Sequence, residues 1–215
     1  VSAPRWPFVV FDLDGTVVNT IPLIIASYGH ALDSVLGERP TPEEARSWIG
    51  QTLFSTFAAN HPDHVQELIE AYTEFNLGHL DELQEDFPGT PELLAALADA
   101  GVAIGVATSK RRASAERTLR KAGLADRLAV TVAMEDTRTH KPDPEPLLLA
   151  LAKVGGRPEQ AAYVGDAVVD VLAAKAAGMA SIAVSWGAAP RATLAAAEPD
   201  ALVDSVAELQ ALLLS

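Results

Sequence analysis

The chain has 215 residues, 49% hydrophobic and 21% charged, a balance that suits one globular domain or a core with a smaller insert. It contains no cysteine, which excludes a disulfide framework, a thiol nucleophile and a cysteine zinc site. A formal net charge of −13 argues against nucleic acid or an anionic membrane surface as partner, because both call for a basic face, and no apolar run approaches the ~20 residues that a spanning helix needs.

Taken in order, the first apolar run is Phe8-Val9-Val10-Phe11. It lacks polar alternation and reads as a buried parallel strand, and it is too short for the apolar core of a leader segment. Asp12, Asp14, Gly15 and Thr16 follow it at once. The pattern then turns helical over Ile21–Leu36, Pro42–Trp48, Leu53–Ala58 and His61–Leu83, with breaks at Gly37, Pro40, Gly50 and Pro62. Between Val17 and Phe87 there are twelve acids, two arginines (Arg39 and Arg46) and no lysine, so this stretch carries −10 of the charge. Together these features predict a helical cap domain over 19–87 and a core formed by 1–18 and 88–215. Val17–Asn19 and Phe87-Pro88-Gly89 would be the hinges.

Beyond the insert, strands and helices alternate. Thr90-Pro91-Glu92 opens a helix with a hydroxyl cap and a proline in the first turn, and Gly101 ends it. Val102–Ala107 reads as the second strand, Arg112–Ala122 as a helix, and Leu128–Val132 as a weaker strand. A helix over Glu145–Val154, a strand over Ala161–Val164 and a helix over Val169–Ala177 come next. Ala180–Val184 is a strand, Ala201–Val203 a weaker one, and Ser205–Leu214 the last helix. This rhythm predicts a parallel, doubly wound sheet.

In an open parallel sheet, ligands bind at the carboxyl ends of the strands. Thr108, Ser109 and Lys110 follow the second strand; His140, Lys141 and Pro142 lie past the third. Gly165, Asp166 and Asp170 follow the run that starts at Ala161. Singly, such residues are more often turn formers, helix caps or solvated lysines than site residues. The pair Asp12 and Asp14 is harder to explain that way. Two acids directly after an apolar strand repel each other and call for a cation, and in extended chain positions i and i+2 face the same way.

Four segments in this order resemble the four motifs of the haloacid dehalogenase superfamily: FDLDGTVVNT at Phe11–Thr20, VATSK at Val106–Lys110, HKPDP at His140–Pro144 and VGDAVVDVLAAKAAG at Val164–Gly178. PGTPELLAAL at Pro88–Leu97 is similar to the segment that re-enters the core, and the branch resembled is the phosphoglycolate phosphatase-like one. The resemblance implies a three-layer α/β/α, Rossmann-like parallel sheet with a small α-helical cap inserted after the first strand. It also implies a Mg²⁺-dependent phosphatase that hydrolyses a small phosphate monoester of the phosphoglycolate type through an aspartyl-phosphate.

In that scheme Asp12 is the nucleophile and Asp14 the acid and base. Mg²⁺ is held by Asp12, the Asp14 backbone carbonyl and Asp166, with Asp170 behind it or bridged through water. Thr108, Ser109 and Lys141 hold the phosphoryl oxygens, and Gly50, Gln51 and Thr52 of the cap contact the substrate. The acid at Asp14 points to phosphate chemistry rather than dehalogenation. A mutase of the β-phosphoglucomutase type and an inorganic pyrophosphatase are the alternatives. A response-regulator-like phospho-switch is the non-enzyme alternative, and the order of the motifs argues against it. The chain departs from the common family pattern at Asn19, His140 and Ala167, where Asp, Gly or a basic residue, and Ser or Thr are usual. The expected partner is a small phosphorylated metabolite, with no nucleic acid and no membrane, in the cytoplasm; the oligomeric state is left open.

Overall fold

The computed structural model describes residues 4–215, so residues 1–3 of the expected core segment lie outside the described residues. The elements are β1 (Phe8–Phe11), β2 (Val18–Asn19), α1 (Ile21–Leu36), α2 (Pro42–Ser47), α3 (Leu53–Asn60), α4 (Val65–Leu83), β3 (Glu85–Asp86) and α5 (Thr90–Asp99). They continue with β4 (Ala103–Ala107), α6 (Arg112–Lys121), β5 (Val130–Val132), α7 (Glu145–Lys153), β6 (Ala161–Gly165), α8 (Val168–Ala177), β7 (Ala180–Val184), α9 (Arg191–Ala196), β8 (Ala201–Val203) and α10 (Val206–Leu213). None of these helices is long and apolar enough to cross a membrane.

Six strands form one sheet in the order β5-β4-β1-β6-β7-β8, and every pairing within it is parallel. The expected α/β fold is therefore present. The pleat of β1 explains the layers. Val9 and Phe11 point to a core shared with Leu94 and Leu97 of α5, Leu119 of α6 and Leu213 of α10. Val10 points the other way, to a core shared with Leu147 and Leu151 of α7 and Ala174 of α8. Because β1 lies in the middle, apolar on both faces, its carboxyl end is surrounded by the ends of β4 and β6.

Helices α1 to α4 pack on one another around a separate apolar core. Tyr28 is its centre and meets Trp48, Phe57 and Tyr72 edge-on, with ring centroids 5.1, 5.6 and 4.9 Å away. Leu68, Tyr72, Asn76 and Leu80 bury one stripe of α4 at a spacing of four residues. The single helix expected over His61–Leu83 is divided. Pro62–His64 forms a tight turn and α4 begins at Val65, because Pro62 has no N–H to continue a helix and suits only a first turn.

The insert joins the core through two chain crossings that pair with each other. Val18–Asn19 and Glu85–Asp86 form a two-stranded antiparallel ribbon, which the sequence pattern did not predict. Asn19 Nδ2 donates to Glu85 Oε2 at 2.8 Å across it.

Candidate functional site

Asp12 leaves β1 still bound to the sheet, its N–H donating to the Val164 carbonyl at 2.8 Å. The chain then turns tightly: the N–H groups of Thr16, Val17 and Val18 all donate to the Leu13 carbonyl. Gly15 sits in this turn with φ of +79°, and a Cβ there would lie 2.3 Å from Asp166 Oδ2. Only glycine allows both the left-handed backbone and the close approach of the Asp166 carboxylate.

Asp166 follows β6 and is held from three sides. Thr16 Oγ1 donates to its Oδ1 at 3.0 Å, the Ala188 N–H donates to its Oδ2 at 2.6 Å, and Gly187 packs against it so closely that a Cβ would lie 2.2 Å from Asp166 Cβ. Asp170, in the first turn of α8, accepts the Ala167 N–H at 3.0 Å on Oδ2 and Lys141 Nζ at 2.6 Å on Oδ1. It is thus both a helix cap and a partner of the buried lysine.

Lys141 ties the group together. Its Nζ donates to Asp12 Oδ1 at 2.9 Å, to Asp170 Oδ1 at 2.6 Å and to the Tyr163 hydroxyl at 3.1 Å, which uses all three ammonium donors. The Tyr163 hydroxyl in turn donates to the Ala107 carbonyl at 3.0 Å. Tyr163 escaped the sequence reading because it lies inside an apolar strand and reads as core; a lone hydroxyl in β6 was the only signal.

Asp12, Asp166 and Asp170 are all buried, and each brings an oxygen within 4.8 Å of the others'. Burial pushes the Asp12 carboxyl up to about 7; Lys141 holds it down, while Asp170 and Asp14 push it higher. Burial, with Asp170 and Asp12 beside it, also raises Asp166 well above the usual carboxylate range. Burial would lower Lys141, but Asp12 and Asp170 outweigh it and hold the lysine above its ordinary value. Three buried acids around one ammonium leave a negative surplus, and all the donors are hard oxygens. The set therefore fits a divalent cation of the oxygen-preferring kind.

Asp14 turns away from this cluster. Its Oδ1 accepts Thr20 Oγ1 at 2.6 Å and Lys110 Nζ at 2.7 Å. Thr108 Oγ1 accepts the Lys110 N–H at 3.2 Å, and the residue lines the same cavity as Asp12 and Asp14. Ser109 is placed differently from its neighbour: its hydroxyl donates to the Gly50 carbonyl of the insert at 2.8 Å. Gly50 has φ of +94°, and a Cβ there would lie 2.9 Å from Ala167 Cβ. Gly50, Gln51 and Thr52 line the cavity, and Thr52 also caps α3 by accepting the Ser55 N–H. Arg46 lies outside this cavity and donates to the Gly187 carbonyl at 3.2 Å. Lys110, which the sequence shows only as the end of the VATSK segment, is brought by the fold onto Asp14.

A family model described as haloacid dehalogenase-like hydrolase matches residues 9–184. The pyrophosphatase PpaX of Bacillus pumilus is 37% identical over 204 residues, covering 95% of this chain and 94% of that protein. A candidate haloacid dehalogenase-like hydrolase from Bacteroides fragilis superposes with a TM-score of 0.88 at 26% identity, over 95% of this chain and all of that one. A candidate phosphoglycolate phosphatase from Lactobacillus plantarum superposes with a TM-score of 0.87 at 26% identity, over 97% of this chain and 99% of that one.

Proposed function

As a chain that belongs to the haloacid dehalogenase-like hydrolases, the protein is a phosphatase, and we propose that it hydrolyses a small phosphate monoester through a phosphorylated Asp12. The observation that carries this reading is Asp12 itself. It is a buried carboxylate at a strand end, 2.9 Å from a buried lysine and grouped with two further buried acids.

The chemistry divides into two displacements. An Asp12 oxygen attacks phosphorus as the bond from phosphorus to the leaving oxygen breaks, and Asp14 gives that oxygen a proton. Water then attacks the phosphorus, Asp14 takes its proton, and the bond to Asp12 breaks to release inorganic phosphate. Lys141 fixes the Asp12 oxygen in place and offsets negative charge, and Thr108 faces the phosphoryl oxygens. Asp12 and Asp166 would hold Mg²⁺ together with the Asp14 backbone carbonyl, with Asp170 placed behind them. When bound, that ion supplies charge neutralisation between nucleophile and phosphate. Helices α1 to α4 act as the cap over residues 19–87, and closure keeps bulk water from the phosphorylated aspartate.

Pyrophosphate is a second reading, favoured by the name of the Bacillus pumilus relative. The phosphatase mechanism is tested by Asp12→Asn. This variant should keep the fold by circular dichroism and lose phosphate release from every ester; turnover near that of the unaltered protein would sink the covalent route.

A further inference from the structure

Resting on the phosphatase reading above, we propose that the ester's leaving group is a small, uncharged, apolar alcohol, and that pyrophosphate and carboxylate-bearing esters are poor substrates. The cavity over Asp12 and Asp14 is walled on the insert side by Ile24, Tyr28, Leu53, Phe54, Ile69 and Tyr72. The charged residues that line it are Asp12, Asp14, Lys110 and Arg111, all from the core; among the described residues the insert contributes none.

The two arginines of the insert are engaged elsewhere. Arg39 pairs with Asp33 at 2.7 Å, and Arg46 donates to the Gly187 carbonyl at 3.2 Å. Lys110, of the core, is paired with Asp14 at 2.7 Å. Arg111 also lines the cavity, from the core, and is exposed, so its charge stays in water rather than among the apolar side chains. A leaving group with its own phosphate or carboxylate would therefore set an anion among apolar side chains of the insert with no insert cation to meet it. An anion taken out of water without a paired cation is strongly disfavoured. The −10 charge of the insert adds to that cost.

A hydrocarbon group has the opposite balance. It removes apolar surface from water on both sides of the contact. Phe54 is 66% exposed at the mouth of the cavity, an aromatic face that a bound apolar group would cover. Three of the insert's polar lining residues spend a donor inside the insert itself. Thr52 donates to Ser55 Oγ, Thr73 to the Ile69 carbonyl, and Asn76 Nδ2 to Ser27 Oγ, all within the insert. The bond changes are those already given: the phosphorus–oxygen bond to the alcohol breaks, and the alcohol oxygen takes the Asp14 proton.

The test measures kcat/KM by phosphate release from the full chain with Mg²⁺, using benzyl phosphate, propyl phosphate, phosphoglycolate and pyrophosphate. Propyl phosphate and phosphoglycolate are close in size and both release a primary alcohol, so their ratio reports charge. Propyl phosphate should exceed phosphoglycolate, and benzyl phosphate should exceed pyrophosphate, each by roughly tenfold or more, the scale on which pockets separate small groups. Phe54→Ala should lower the benzyl-to-pyrophosphate ratio by roughly tenfold, mainly through KM, and Thr73→Lys should lower it by giving the wall a cation. Faster turnover of phosphoglycolate or pyrophosphate by the unaltered protein would overturn this proposal and leave the phosphatase reading standing. An unchanged ratio in Phe54→Ala would also overturn it, and no phosphate release from any of the four would take both readings down.

Discussion

Asn19 Nδ2 donates to Glu85 Oε2 at 2.8 Å across the two-residue ribbon that joins insert and core. This pair explains one departure of the chain from the common family pattern. An aspartate at 19 would face the Glu85 carboxylate directly, whereas the amide supplies the donor that Glu85 accepts. Like charges directly opposite on paired strands are destabilising, by up to about 1 kcal/mol. Asn19→Asp should therefore lower the melting temperature at pH 7, and the difference should close below about pH 4 as the two carboxyls take protons. A melting curve at each pH checks this, and an equal loss at both would show that the pairing is irrelevant.

Lys141 makes the strongest stability prediction. Its side chain is 1% exposed and bridges Asp12 and Asp170, which are 4% and 1% exposed. Lys141→Ala removes the one cation and leaves buried acids facing each other, a loss of the order of 3–5 kcal/mol. Urea unfolding in EDTA reads it directly. A loss under about 1 kcal/mol would show that the acids bind protons in place of the ammonium.

Metal binding gives a readout that does not depend on turnover. Mg²⁺ added to EDTA-treated protein should raise the melting temperature. A ligand at a hundred times its dissociation constant contributes about 2.7 kcal/mol. Asp166→Asn should abolish the rise, because it removes a charged oxygen held in place by Thr16 and Ala188. A rise of the same size in that variant would place the ion elsewhere. EDTA should likewise stop phosphate release, and Mg²⁺ should restore it.

Asp200 gives a pH prediction far from the site. The Ser181 N–H and hydroxyl both donate to its Oδ2 at 2.8 Å. These bonds hold its carboxyl below the usual value. A depressed folded pKa contributes stability above the unfolded value of about 3.9, and that contribution is lost as pH falls through the folded pKa. Asp200→Asn should thus melt lower than the unaltered chain at pH 7 and converge with it near pH 2. Because Asp200 is exposed, the gap should be small. A gap that persists at pH 2 would point to lost packing rather than lost charge.

The sequence alone determined the sheet, the helical insert and the four motif segments, because each rests on local pattern. Phe8–Phe11 is apolar on both faces, so it had to lie inside a parallel sheet, and the acids that follow had to emerge at its end. Helix stops were legible for the same reason, since Pro and Gly act on the backbone of their own turn; the start of α5 was not, because Thr90, read as its hydroxyl cap, is the first helical residue and Gly89 takes the cap position with no side-chain bond. What only the tertiary structure decided was the company each residue keeps. Tyr163 reads as core until the fold sets it against Lys141, 22 positions earlier. Ser109 and Thr108 are neighbours in the chain, yet the insert captures the hydroxyl of one, while the hydroxyl of the other accepts the Lys110 N–H in the lining of the cavity. The ribbon of Val18–Asn19 with Glu85–Asp86 has too few residues to carry a pattern, and it exists because helices α1 to α4 return the chain to where it left. Asp12 and Asp14, two positions apart in one motif, part company for the same reason. Lys141 and the other buried acids claim Asp12, while Thr20 and Lys110 draw Asp14 toward the cavity under the insert.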